Sequence, residues 1–118
     1  MSVVEEWARG HIVADDGPGG HHAVRVALRY DPEPTPGTVM ISFPGSPGGQ
    51  EWKFSRELLE QGMRAPAESG DVRIWPCGRV QTVIEFHAEH EVAVVQFDSV
   101  PLTRFLRRTY TTATSIPQ

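Results

Sequence analysis

The chain holds one cysteine, Cys77, among 118 residues. That excludes an internal disulfide and any zinc site built on several cysteines, and it fits a reducing compartment. Lysine is as scarce. Lys53 stands alone beside ten arginines, and the net charge is −4. A mildly acidic chain does not favour indiscriminate contact with phosphate backbones, so nucleic acid is not the expected partner. No apolar run approaches the roughly 18 residues of a membrane span. The opening MSVVEEWARG carries acids where a secretory leader carries bases. Together these absences predict a cytoplasmic protein without direct membrane insertion. The length predicts one domain over residues 1–118, large enough to bury about two thirds of its unfolded surface without covalent staples.

Reaction chemistry is equally thin. Cys77 follows Pro76 with no histidine at a spacing that would prepare a thiolate. The glycine-rich stretches at 17–20 and 44–49 lack the lysine and following helix of a phosphate-binding loop. Ser42, Ser46, Ser55 and Ser69 sit in no nucleophile elbow. The densest polar run is EFHAEHE, with Glu85, His87, Glu89, His90 and Glu91. Imidazoles and carboxylates can bind zinc, but strand alternation makes this run a solvated polar edge that discourages sheet-to-sheet pairing. His21 and His22 read as a loop pair. The expectation is no catalytic residue, no cofactor and no metal.

What the chain does have is alternation. Val24, Val26, Leu28 and Tyr30 interleave with Arg25, Ala27, Arg29 and Asp31, the period of a half-buried strand. Val39, Ile41 and Phe43 repeat it, and residues 50–54 form its hairpin partner with Trp52 and Phe54 in the core. Ser55 is placed to cap a short helix, with Phe54 and Leu59 at hydrophobic-staple spacing. Gly62 reads as its left-handed stop, and Leu58, Leu59 and Met63 as its inner face. Residues 71–75, 82–88 and 91–97 are further strands, the last two forming a hairpin. A final helix starts near Ser99, tolerates Pro101 in its first turn and buries Leu102, Phe105, Leu106 and Thr109. Arg104, Arg107 and Arg108 then read as cations complementing a helix C-terminus. The fold class is α+β, antiparallel sheet with two or three helices.

Four blocks carry a resemblance. Leu28-Arg29-Tyr30-Asp31-Pro32 is followed by Trp52-Lys53-Phe54-Ser55-Arg56-Glu57-Leu58-Leu59-Glu60-Gln61-Gly62. Then come Gly70-Asp71-Val72-Arg73-Ile74-Trp75-Pro76 and Phe105-Leu106-Arg107-Arg108-Thr109. In order and spacing these resemble the SsgA-like proteins, sporulation and cell-division regulators of actinobacteria. The resemblance implies a Whirly-like fold of two antiparallel sheets with helices, assembled as a homo-oligomer, a trimer being favoured. It implies a non-enzymatic adaptor in septum-site selection, FtsZ recruitment or cell-wall remodelling. The implied partners are FtsZ or another SsgA-like protein, and the implied location is the division septum.

Arg29, Asp31, Arg73 and Trp75 are the candidate interaction surface. Alternation puts Val72 and Ile74 on one side of their strand and Arg73 and Trp75 on the other. Trp75 thus shares its side with a charge, which leaves two readings open, an interface anchor or a core residue. Arg29, Tyr30 and Asp31 could also fork with Asp71 and Arg73 to pin two strand ends together. The alternative function is a single-stranded nucleic-acid-binding Whirly-like module, with Trp75, Arg73, Arg25 and Arg29 as part of a basic, aromatic groove.

Overall fold

The structure is a computed structural model and describes residues 3–13, 21–33, 36–43, 51–88 and 92–114. Eight strands and two helices follow in the order β1 (Val4–Val13), β2 (His21–Tyr30), β3 (Thr38–Ser42), β4 (Glu51–Ser55), α1 (Arg56–Gly62), β5 (Ala67–Ser69), β6 (Val72–Cys77), β7 (Gln81–His87), β8 (Val92–Asp98) and α2 (Ser99–Thr114). This is the α+β class that the alternation predicts. The strands form one antiparallel sheet, β4-β3-β2-β1-β8-β7-β6-β5. Where the resemblance implied two sheets, the hydrogen bonding runs unbroken from edge to edge through β1.

That single sheet folds back on itself. The Phe86 ring of β7 lies 4.9 Å from that of Trp52 and 6.4 Å from that of Phe54, both on β4. Four strands separate β4 from β7 in the sheet order, so these rings meet only if the two halves face each other. Between them lies the core: Val26, Leu28, Ile41, Ile74, Ile84, Phe86, Val95 and Phe97 are fully buried. Each comes from the apolar phase of its strand, and their removal from water drives the closure.

β1 is the hinge of this arrangement. All of it pairs with β2, but only Gly10 to Val13 pair with β8. At Gly10 the strand passes from one half of the sheet to the other. A Cβ there would lie 2.7 Å from Cγ1 of Val95 and 3.2 Å from the Phe97 ring, so the close approach needs glycine. The sequence reading missed this strand. Its inward phase runs Val4, Glu6, Ala8, Gly10, Ile12, and the carboxylate and the glycine blur the alternation.

α1 begins as its sequence predicts. The Leu58 amide donates to Oγ of Ser55 at 3.0 Å, and Leu58 and Leu59 are buried. The reading of Gly62 needs correction. It is not left-handed; the helix ends on Met63 in ordinary right-handed geometry. Gly62 instead presses on β6, where a Cβ would lie 2.3 Å from Cβ of Ile74. Glycine is there for contact rather than for a turn.

α2 packs its stripe of Leu102, Phe105, Leu106 and Thr109 into the core. Its entry is tied down twice, by the Ser99 amide donating to the Val80 carbonyl at 2.8 Å and by the Ser99 and Thr82 hydroxyls, 2.8 Å apart. Buried Thr109 donates to the Leu106 carbonyl at 2.6 Å. The helix runs on to Thr114, so Arg104, Arg107 and Arg108 stand mid-helix and do not form a cationic C-terminus.

Candidate interaction surfaces

Alternation along β6 places its side chains as expected. Val72 and Ile74 are buried, Arg73 is exposed and Trp75 half-buried on the outer face. The Arg73 guanidinium carbon sits 5.9 Å from the centre of the Trp75 ring, a cation–π distance. Arg73 also reaches Glu85 on β7 at 3.6 Å, and Glu85 meets Nε2 of His87 at 2.8 Å. Trp75 is opposite Val83 in register, and Val83 is only 7% exposed despite facing outward. Half-buried Trp75, the charge above it and the covered valine make a compact aromatic patch near one edge of the sheet.

Arg29 and Asp31 belong elsewhere. Arg29 pairs in register with Glu5 on β1 and Met40 on β3, and Asp31 accepts from the Glu33 amide at 3.1 Å, closing the turn after β2. Strands β1, β8 and β7 lie between β2 and β6. The proposed fork of Arg29 and Asp31 with Asp71 and Arg73 is therefore not formed. Arg73 takes as its carboxylate Glu85, the residue directly opposite it in the β6–β7 ladder. The four candidate residues are two separate pairs.

Of the polar residues in the EFHAEHE run, Glu85 and His87 lie within the described residues; Glu89, His90 and Glu91 lie outside them. With Arg73 already at Glu85, this pair extends a hydrogen-bonded polar row on the outer face. Among the described residues no group of three or more metal-ligating side chains assembles. Cys77 is exposed.

Three features went unread in the sequence. Trp7 of β1 is 47% exposed on the outer face, with the Arg25 guanidinium 4.5 Å from its ring centre. Arg9 stands directly opposite Arg25, a like-charge pairing that costs stability. Glu6, on the inward phase of β1, is held by two arginines of α2: Arg108 donates to it at 2.6 Å and Arg104 at 3.5 Å. Arg108 also donates to the Glu5 carbonyl at 3.0 Å. Arg56 lies over both tyrosine rings, 5.0 Å from the centre of Tyr30 and 3.9 Å from that of Tyr110. The Tyr110 hydroxyl donates to Glu60, and that bond raises the phenol above its ordinary pKa. Next to this knot a groove of about 410 Å³ opens between α1 and α2, with Arg64, Arg79 and Arg107 around it. The signal for these pairings was weak because none lies within a local motif, and two of the three join elements remote in sequence. Glu6 and Arg108 are 102 positions apart.

A curled antiparallel sheet bearing two helices, with arginine–tryptophan pairs on its outer faces, defines an α+β protein whose distinguishing features are surfaces. The comparisons with known proteins give that class a family. Residues 24–115 match the family described as Streptomyces sporulation and cell division protein, SsgA, and the chain belongs to it. It is 39% identical over 93 residues to the sporulation-specific cell division protein SsgB of Salinispora tropica, an alignment spanning 74% of this chain and 64% of that one. It is 35% identical over 115 residues to SsgB of Frankia casuarinae, spanning 92% and 76%. Among solved structures it resembles SsgB of Streptomyces coelicolor, with a TM-score of 0.81 and 26% identity over 96% of this chain and 89% of that one. The SsgA-like sporulation-specific cell division protein of Thermobifida fusca gives 0.83 and 26% over 97% and 84%. These relatives are sporulation-specific cell division proteins by name. No helix among the described residues is long and apolar enough to cross a membrane.

Proposed function

We propose that this protein is a non-enzymatic adaptor that works at the septum of sporulating cells, selecting the septum site or recruiting FtsZ and wall-remodelling proteins. The observation that carries the reading is the Trp75 patch. A large aromatic held half-buried under Arg73, over an already covered Val83, is a preformed apolar anchor with a charged rim. Aromatics and arginines of this kind dominate the energetics of protein interfaces. The names of the relatives, sporulation-specific cell division proteins, supply the setting. In this reading the protein is cytoplasmic, and its folded-back sheet is a Whirly-like protomer of a homo-oligomer, a trimer being favoured, with Trp75 at the subunit contact.

Biolayer interferometry against the host's FtsZ tests the adaptor role. Saturable binding supports direct recruitment. Absence of binding to FtsZ and to any other SsgA-like protein of the host ends it. Light scattering tests the assembly, and a monomer at tens of micromolar contradicts it. Trp75→Ala is expected to weaken assembly more than it lowers the melting temperature; the reverse order makes Trp75 a core residue.

A second reading has one observation in its favour. Trp7, Arg9, Arg25 and Arg29 share the outer face of β1 and β2, and an exposed aromatic among arginines is what single-stranded nucleic acid stacks on. The chain's net charge of −4 weighs against it. Salt-sensitive binding of an oligonucleotide that Trp7→Ala abolishes revives this reading, and no binding at low salt ends it.

A further inference from the structure

We infer that the groove between α1 and α2 is a docking site for an acidic peptide segment of a partner protein, one carrying carboxylates on either side of an aliphatic side chain. Three cations from three separate elements surround it: Arg64 just after α1, Arg79 in the β6–β7 turn and Arg107 on α2. All three are exposed, and none forms an ion pair among the described residues. Their neighbours differ. Arg73, Arg104 and Arg108 each have a carboxylate, and Arg56 is spent on two tyrosine rings and the Thr109 carbonyl. Glu60 is the only carboxylate among the described residues lining the groove, and it already accepts from Tyr110. The groove is thus a concave site with positive charge that the described residues leave uncompensated, the arrangement that attracts and orients anions.

Its lining says which anion. Half-buried Met63 and largely buried Leu106 contribute apolar surface beside the arginines. A bare phosphate has no use for that surface, whereas an aliphatic side chain does. Guanidinium groups grip carboxylates through paired parallel hydrogen bonds. Single-stranded nucleic acid would need a free aromatic face for each base. The one aromatic among the described residues lining the groove is Tyr110, and the Arg56 guanidinium sits over its ring at 3.9 Å. A volume of about 410 Å³ accommodates a few side chains of a short segment. Packing supports a formed site, since both walls are helices pinned to the core by Gly62 against Ile74 and by Phe105 and Leu106.

The biological sense of this inference rests on the adaptor reading, but its test does not. A fluorescein-labelled hexapeptide of sequence DELLDE is titrated with the full chain and followed by anisotropy, at low and at physiological salt. Its uncharged counterpart NQLLNQ and an oligothymidylate are run alongside. Saturable binding of the acidic peptide, weakened by salt and absent for the amide peptide, is the expected result. Arg64→Gln, Arg79→Gln and Arg107→Gln should each weaken it by about fivefold and the triple variant by about 100-fold. Arg9→Gln, on the outer face of β1, should leave it unchanged. Equal binding of the two peptides, or unaltered affinity in the triple variant, overturns the inference. So does an oligothymidylate that displaces the acidic peptide and loses its own binding in the same variants, which assigns the groove to nucleic acid. Capture of FtsZ by the triple variant separates the two proposals. Lost peptide binding beside undiminished capture of FtsZ upholds the groove and gives it a partner other than FtsZ; peptide binding by the unaltered protein without capture of any division protein upholds the groove and ends the adaptor.

Discussion

Helix α2 uses its arginines in two opposite ways. On the side facing β1, Arg104 and Arg108 close on Glu6, a carboxylate whose side chain is only 13% exposed. On the side facing α1, Arg107 joins Arg64 and Arg79 around a groove where the one carboxylate among the described lining residues, Glu60, already accepts from Tyr110. The same residue type, within one turn of one helix, is structural on one side and uncommitted on the other. Position relative to a partially buried acid makes the difference. A charge-assisted bond near the protein interior contributes to the fold, whereas an exposed guanidinium without a partner contributes almost nothing to it.

Substitutions along α2 should reproduce that contrast. The largest loss belongs to the inward stripe that both sides share. Phe105→Ala removes a fully buried ring and should cost about 3–5 kcal/mol in denaturant unfolding. Glu6→Gln should come next, at about 1–2 kcal/mol, because two guanidinium groups lose their charged acceptor. A value no different from Arg107→Gln would erase the distinction between the two sides. Arg107→Gln itself should change stability by no more than about 0.5 kcal/mol.

The smallest effect is in the alkaline limb. Tyr110 has its pKa raised above 10.0 chiefly by its bond to Glu60. A raised folded value means the bond contributes fully below the ordinary tyrosine pKa. Its contribution is lost as pH rises through the raised value. Phenolate absorbance, corrected with Tyr110→Phe, should show the titration moving back toward 10.0 in Glu60→Gln.

Local rules carried most of the fold. Ser55 as a cap, Phe54 and Leu59 around it, the α2 stripe and the β3–β4 and β7–β8 hairpins all depend on residues close in sequence, and these were legible. β1 was not, because Glu6 and Gly10 interrupt its inward phase. Glu6 makes sense only beside Arg108, and Gly10 only beside Val95 and Phe97. Gly62 was read through its freedom of conformation when its reason is contact with Ile74. On the surface, alternation placed Arg73 and Trp75 on one outer face correctly. It could not say that three strands separate Arg29 and Asp31 from them, since strand order is not written in period two. The groove was hidden for the same reason: its arginines come from a loop, a turn and a helix with no common motif.

The position of β1 has a consequence for how the chain acquires this structure. β1 needs β8 along one edge, and its Glu6 needs α2. The first described strand is therefore completed by the last strand and the last helix. Loop closure over such separations slows folding relative to a chain of local contacts. During synthesis β1 and β2 can pair early, but the second edge of β1 stays open until β8 has left the ribosome. An open strand edge beside exposed apolar residues invites mispairing, so truncation before β8 should leave a species that aggregates instead of a smaller folded domain.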